Sequence, residues 1–197
     1  KRGAVGDMPK IVCVNKKSKG YNTPEDLQKI IHYAYNPLKT TEDTIRPGHA
    51  IGDYTGCYPF MGPEYLTHDE AAVSSYMILN NAIYGKSHGN LIRHWVISFH
   101  KSDYVMPCDA ANLGNFLIQV LGQNYISAFG VHMDTYYIHI HLIINCINWH
   151  DGKRYDVPYE GKWINSMVEG WYQTHMDNLI KDVEARKRYE AYLYGEY

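Results

Sequence analysis

The sequence lacks clustered cysteines and long apolar runs. Its cysteines contain no Cys-X-X-Cys pair and form no dense framework, which excludes a disulfide-stapled secreted scaffold. No apolar stretch approaches the roughly 20 residues of a membrane-spanning helix, and no signal peptide is recognisable. These absences predict a cytoplasmic protein without a membrane partner, whose buried thiols are Cys13, Cys57, Cys108 and Cys146.

A basic excess is also missing. The formal net charge is -2 at pH 7, whereas proteins that bind nucleic acid through broad electrostatics usually carry surplus Lys and Arg. The charge is unevenly distributed along the sequence. The first twenty residues contain six basic residues and one acidic residue, Asp7, whereas no Lys or Arg occurs between Pro47 and Gly85. The sequence therefore predicts a basic stripe on a nearly neutral body.

Phenylalanine is scarce, with 4 residues against 19 tyrosines. Tyrosine joins an apolar ring to a polar tip, which suits a surface on which bases stack. Most of these tyrosines, taken one by one, are better explained as half-buried core or edge residues. The composition is compatible with a nucleic-acid surface but does not require one.

The length and the apolar periodicity predict the fold class. At 197 residues the chain can bury one good-sized core, so we expect one domain over residues 8–197 after a leader, residues 1–7, that is disordered or left over from cloning. The predicted strands are 11–14, 91–99, 125–131, the histidine-rich stretch that follows and 154–157, and the predicted helices begin at Thr23, Thr67, Asp109 and about residue 162. This order is typical of an α+β fold with a mainly antiparallel central sheet and helices on its faces.

The residues that carry chemistry concentrate between Gly130 and Asn148. Alternate side chains of a strand share a face, so His139, His141 and Asn145 are predicted on an accessible face and the apolar residues between them on a buried one. His132 precedes the pair across a short polar and aromatic connection that could fold back beside it. Three neutral histidines around one point are typical of a divalent-metal site, in which Asp134 could orient a ligand ring.

Packing alone explains only part of this pattern. A lone His-X-His is more often two hydrogen-bonded polar residues than a metal site. The third histidine, and the placement of all the polar groups on one side, favour metal binding because packing does not require that placement.

Three motifs of this sequence resemble those of a known protein family. His132-Met-Asp134 with His139-Ile-His141-Leu-Ile-Ile-Asn145 resembles the third motif of the relaxases of conjugative plasmids and transposons, in the MOBP class of the HUH endonucleases. His32-Tyr33-Ala34-Tyr35-Asn36-Pro37-Leu38-Lys39-Thr40 resembles the first motif, which holds a nucleophilic tyrosine. Trp95-Val-Ile-Ser98-Phe99-His100 resembles the strand motif between them, and the resemblance extends from about residue 10 to about residue 160.

The resemblance implies a site- and strand-specific endonuclease that nicks one DNA strand at a transfer origin through a covalent 5′-phosphotyrosine and can rejoin it. It implies Tyr33 as the nucleophile, with Tyr35 as the runner-up, and the three histidines as ligands of Mg or Mn. Three imidazoles suit Mn or Zn better than Mg, which prefers oxygen ligands. Asp134 would fix His132 or help to take the phenol proton.

The implied partner is single-stranded DNA at a transfer-origin nick site, extended or next to a hairpin, together with accessory mobilization proteins. The residues expected to contact the DNA are Lys16, Lys17 and Lys19 in the basic stretch, Tyr35 as a base-stacking residue, and Asn145.

Three alternatives stay open. A DNA-binding module with a structural metal would bind without a covalent product. A three-histidine metalloenzyme acting on a small molecule would leave Tyr33 structural. Replication initiators of the same superfamily place the tyrosine after the histidine pair, by resemblance, whereas Tyr33 precedes it here, which favours the relaxase.

Overall fold

A five-stranded sheet organises the protein, and the histidine strand lies at its centre. The computed structural model describes residues 8–14, 20–41, 54–182, 187–188 and 190–192. The strands are β1 (Lys10–Cys13), β2 (Thr55–Tyr58), β3 (Ile92–Ser98), β4 (Tyr125–His132) and β5 (His139–Asn148). They lie in the order β1-β3-β5-β4-β2, and every neighbouring pair is antiparallel. The predicted fold class is confirmed.

Helices cover both faces of the sheet. They are α1 (Pro24–Ala34), the short α2 (Pro37–Thr40), α3 (Glu70–Ile83), α4 (Pro107–Leu121) and α5 (Glu160–Lys181). The histidine face, which carries His139 and His141, packs through Ile143 against α1 and α3. The far face packs through Leu142 against α4 and α5. Because both faces of β5 are buried in apolar clusters, the sheet is the middle layer of three.

The local sequence accounts for the start and the packing of α1. The Thr23 side chain accepts a hydrogen bond from Asp26 N–H at 3.2 Å, the Asp26 carboxylate accepts one from Thr23 N–H, and Pro24 occupies the first turn. The predicted apolar stripe is confirmed, because Leu27, Ile30, Ile31 and Ala34 are all buried. The helix therefore lies flat on the histidine face and ends directly after Tyr33 and Ala34.

Cys108, predicted as a buried thiol, is exposed, whereas Cys13, Cys57 and Cys146 are buried as predicted.

Three predictions about the bounds of helices and strands differ from the structure. The cap of α3 is Asp69, whereas Thr67 belongs to a preceding 3-10 turn, Glu64–His68. Asp109 lies in the first turn of α4 and bonds back to the backbone before it, so this helix begins earlier than predicted. The predicted strand at residues 154–157 is reduced to a single bridge with β5. Hydroxyl and carboxylate side chains both cap helices, so the sequence does not distinguish Thr67 from Asp69 as the cap of α3. A carboxylate can also bond to the free backbone N–H groups from the third helical residue, so the sequence does not fix the position of Asp109 in α4.

A buried carboxylate fixes the start of α5. Glu160 accepts a hydrogen bond from Trp95 Nε1 at 2.8 Å and forms an ion pair with Arg93, so two side chains of β3 hold the helix. The helix begins at Glu160, close to the predicted residue 162. In the part of the chain that the structure describes, no helix is long and apolar enough to cross a bilayer.

Candidate active site

The three predicted histidines lie together at one end of the sheet. His132 closes β4 and is the register partner of His139, which opens β5, and His141 follows on the same face. One nitrogen from each ring lies within 4.8 Å of the others. The ring centroid of His132 is 5.2 Å from that of His139 and 4.3 Å from that of His141. The connection between the strands therefore folds back as the sequence predicted.

Each ring is held through the nitrogen that points away from this cluster. His132 donates from Nε2, and His139 from Nδ1, to backbone carbonyls at 3.2 and 3.0 Å. Nδ1 of His141 is 2.8 Å from Nε2 of His94. Nδ1 of His132 and Nε2 of His141 are then buried without a hydrogen-bond partner among the described residues. Such atoms are costly to leave unpaired, and a divalent ion would satisfy them, so the donor set fits a metal.

The protonation of the cluster also suits ligation. Burial, and after it the neighbouring His139, lowers the pKa of His132 to about 4. Burial and the neighbouring histidines lower the pKa of His141 far below its ordinary value. A neutral imidazole offers the lone pair that a metal needs. Both rings are therefore in the ligating form at pH 7.

A glycine lets the end of α1 reach the histidines. A Cβ added at Gly130 of β4 would lie 1.9 Å from the carbonyl oxygen of Ala34, so only glycine permits this approach. That carbonyl accepts the hydrogen bond from His132. The Lys39 carbonyl of α2 accepts another from Met133 N–H at 2.9 Å. The tyrosine-bearing segment and the histidine strand are thus joined through the backbone.

Tyr33 lies at the open side of the cluster. Its ring meets those of His132 and His141 edge-on, with centroid distances of 5.2 and 5.0 Å. The residue is 42% exposed, because it lies in the last turn of α1. The structure therefore brings together Tyr33 and all three histidines, and leaves the phenol accessible from solvent.

Lys39 is a member of the site that sequence reasoning missed. Its Nζ is 3.1 Å from Oδ2 of Asp134 and 4.6 Å from the centroid of the Tyr33 ring. The Asp134 carboxylate, with a smaller contribution from Tyr33, raises the pKa of Lys39. No described hydrogen bond joins Asp134 to His132, whose ring is oriented by the carbonyl of Ala34 instead. The available signal was the position of Lys39 in the first motif, two residues after a helix-ending proline.

His94 is a second residue that the sequence did not single out. It lies on β3, is 3% exposed, and bonds through Nδ1 to the Tyr21 hydroxyl at 3.0 Å. Burial lowers the pKa of His94 to about 4. The only signal was strand alternation, which puts His94 on the same face of β3 as Ser98.

Two predicted DNA contacts are corrected by the structure. Tyr35 is 5% exposed and donates to two backbone carbonyls at 2.7 and 3.1 Å. Asn145 is fully buried, and its amide bonds to the backbone of α3 and β5. Helices α1 and α3 cover this part of the face predicted to be accessible, so neither side chain can reach DNA in this fold. The other predicted contacts, Lys16, Lys17 and Lys19, lie outside the described residues.

The geometry of the site and the fold together indicate a class of enzyme. A histidine triad on adjacent strands of a central antiparallel sheet, with helices packed on that sheet, is consistent with the active site of an HUH-type nuclease.

Comparison with known proteins agrees with this class and identifies a family within it. Residues 62–181 match the family described as relaxase, MobA/VirD2-like, nuclease domain. Because this match covers more than half of the chain, the protein belongs to the MobA/VirD2-like relaxase nuclease family. The chain is also similar to protein rlx of Staphylococcus aureus, with 35% identity over 74 residues, 38% of this chain and 22% of that protein. The chain thus aligns with less than a quarter of that relative's length, and the family match begins after Tyr33.

Proposed function

We propose that the protein nicks one strand of DNA at a transfer origin and can rejoin it, with Tyr33 as the nucleophile. The observation that carries the proposal is the exposed Tyr33 ring, which lies edge-on at 5.0–5.2 Å to His132 and His141. One nitrogen of each of these two rings has no hydrogen-bond partner among the described residues and lies in the histidine cluster. A nucleophile and a phosphate-binding centre must be adjacent for a transesterification.

The chemistry follows from a phenol placed beside a bound phosphodiester. Tyr33 Oη attacks the phosphorus, a Tyr–O–P bond forms, and the P–O3′ bond breaks. The phenol proton passes to solvent, to which Tyr33 is open, and the departing 3′ oxygen takes up a proton. The phosphotyrosine keeps the energy of the broken linkage, so the same 3′ hydroxyl can reverse the reaction.

His132, His139 and His141 would hold the divalent ion, Mn²⁺ or Zn²⁺ by their donor type and Mg²⁺ by family likeness. When bound there, the ion supplies positive charge to a nonbridging oxygen of the scissile phosphate. His132 and His141 contribute by being neutral and buried. All three rings are held by hydrogen bonds from behind, so that little reorganisation accompanies binding.

Lys39 and Asp134 are proposed to act as a pair on the phenol side. The ammonium lies above the Tyr33 ring and would stabilise negative charge that develops on the phenol oxygen. Asp134 holds that ammonium at 3.1 Å, so its catalytic role passes through Lys39. A carboxylate without Lys39 would instead disfavour the phenolate.

The DNA is proposed to pass the cluster over an aromatic surface formed by Tyr136, Tyr137 and Lys101. The two tyrosines precede His139 and are 64% and 41% exposed. The Lys101 ammonium lies 4.1 Å from the centroid of the Tyr136 ring, and His100 packs against Tyr137. Exposed rings beside a cation suit unpaired bases and their phosphates, because stacking needs a base freed from its duplex. This surface favours single-stranded DNA as the form bound.

The experiment that tests the nucleophile compares Tyr33→Phe with wild type. Each protein is incubated with Mn²⁺ and a labelled single strand from the transfer-origin region of its own element, then run on a denaturing gel. Phenylalanine keeps the ring contacts with the histidines and removes only the oxygen, so DNA and metal binding should persist while nicking and the covalent adduct are lost.

Tyr35→Phe is the matched control, since it removes a phenol oxygen two residues away that is bonded within the core. Its adduct should form at the wild-type level in the folded fraction. An adduct that persists in Tyr33→Phe would contradict the assignment. No adduct from wild type with any metal would leave a DNA-binding module without cleavage.

A further inference from the structure

We propose that Tyr21 and His94 are positioning residues for His141. Together they fix which ring nitrogen of His141 carries the proton and which is left to bind a metal ion. This inference rests on the proposed metal-binding role of the histidine cluster, and it extends the site to two residues that do not touch the metal position.

The three side chains form a line that ends at the cluster. The Tyr21 hydroxyl oxygen is 3.0 Å from Nδ1 of His94, and Nε2 of His94 is 2.8 Å from Nδ1 of His141. His94 is 3% and His141 is 5% exposed, so water does not compete for the bond between the two rings. Nε2 of His141 is buried without a hydrogen-bond partner among the described residues. It is the nitrogen that remains for a metal.

The number of protons on the two imidazoles limits the direction of the hydrogen bonds along this line of side chains. Two imidazole nitrogens at 2.8 Å share one proton, so one ring donates and the other accepts. If His141 donates from Nδ1, its Nε2 keeps a lone pair. His94 then accepts at Nε2 and carries its own proton on Nδ1, where the Tyr21 oxygen accepts it. The opposite direction would place the proton of neutral His141 on Nε2 and remove that ligand atom from the cluster.

His141 differs in this respect from the other two histidines. His132 and His139 donate to backbone carbonyls, which can only accept, so their tautomers are set by the main chain. His141 bonds instead to a side chain supplied by β3. Tyr21 is held in turn by its own carbonyl, which accepts from Leu91 N–H at 2.9 Å just before β3. His141 is therefore the ligand whose tautomer depends on residues that mutation can replace.

The test compares His94→Leu with His94→Gln by calorimetric titration of Mn²⁺ in the absence of DNA. Leucine removes the acceptor, so affinity should fall by about 10–100-fold, as for other outer partners of metal-ligating histidines. The glutamine carbonyl can accept where Nε2 did, so its affinity should stay within about 3-fold of wild type. His175→Leu is the matched control, because it removes a histidine hydrogen bond of 3.1 Å to Tyr104 on the far face. It should leave the affinity unchanged.

A second measurement reads the tautomer without metal. Nitrogen NMR of protein labelled in histidine should show His141 with its proton on Nδ1 in wild type and in His94→Gln, and without that preference in His94→Leu. His141 protonated on Nε2 in wild type would overturn the inference, and so would equal Mn²⁺ affinity in His94→Leu and wild type. Wild type that binds none of Mn²⁺, Zn²⁺ and Mg²⁺ would refute the proposed metal centre, while the tautomer of His141 would still test the role of His94.

Discussion

Replacing Gly130 by alanine tests whether the helix end and the histidine strand work as one unit. The new Cβ would lie 1.9 Å from the Ala34 carbonyl oxygen, whereas ordinary contact begins at 3.4 Å, so the two backbones must separate by about 1.5 Å. That separation breaks the bond from His132 to Ala34, which is already 3.2 Å long. It also carries Tyr33, one residue earlier, away from the cluster.

The magnitudes follow from this displacement. Forcing atoms into a packed site typically lowers the free energy of unfolding by about 1–3 kcal/mol. A shift of the nucleophile by more than about 1 Å costs on the order of 10²-fold in rate. Urea unfolding measures the first effect. The rate of adduct formation on labelled single-stranded DNA, at a temperature where the variant is folded, measures the second.

Gly170→Ala is the matched control, because none of the residues that the structure describes lies within 4 Å of a Cβ at that position in the interior of α5. It should raise the free energy of unfolding by up to about 1 kcal/mol through helix propensity and leave the adduct rate unchanged. Wild-type stability in Gly130→Ala would refute the close approach. Lost stability with a wild-type adduct rate would refute the coupling to Tyr33.

Three further predictions concern the metal, pH and DNA. His141→Ala should weaken Mn²⁺ binding by more than about 100-fold in calorimetry with the circular dichroism spectrum retained, and unchanged affinity would contradict the assignment. The pKa values of His94 and His132 are about 4 when folded and near 6.5 when unfolded. The unfolded chain thus binds more protons between these values, and metal-free protein should lose up to about 1.4 kcal/mol per pH unit for each residue as pH falls through that window. Urea midpoints that do not change from pH 6.5 to pH 4 would contradict this. Tyr136→Ala should weaken binding of a single-stranded oligonucleotide by about 10-fold in filter assays, whereas Tyr65→Ala, an equally exposed tyrosine in the turn before α3, should not.

The features that can be predicted from the sequence are those that depend on residues close together in the chain. The start of α1 and its buried stripe follow from Thr23, Pro24 and apolar spacing within three turns. The alternation in β5 places His139 and His141 on one face in the same local way. The short connection between His132 and His139 predicts that His132 joins them. These local features are sufficient to predict the candidate metal ligands without any tertiary contact.

The remaining features depend on which distant segments meet. Alternation showed that Asn145 shares a face with the histidines, but whether that face is open depends on α1 and α3, which cover it. The base-stacking role predicted for Tyr35 fails for a similar reason, because its hydroxyl donates to the distant carbonyls of Gly56 and Thr67 and the ring is buried. His94 reaches His141 across 47 residues of sequence, through a strand register that periodicity does not specify. Lys39 enters the site only because Gly130 allows α1 and α2 to descend onto β4.

Because β5 lies at the centre of the sheet, we expect the histidines at its start to be more rigid than Tyr33 at the end of α1. Its backbone is bonded to β3 on one edge and β4 on the other, so deuterium should enter the amides of β5 only when the whole sheet opens. Tyr33 lies in a terminal helical turn, and helix ends fray at a much smaller free-energy cost. We expect the amides around Tyr33 to exchange faster than those of β5 by several orders of magnitude. We therefore expect Tyr33 to move more readily than the histidines beside it. A tyrosine that both forms and releases a phosphotyrosine bond at one site would use that motion.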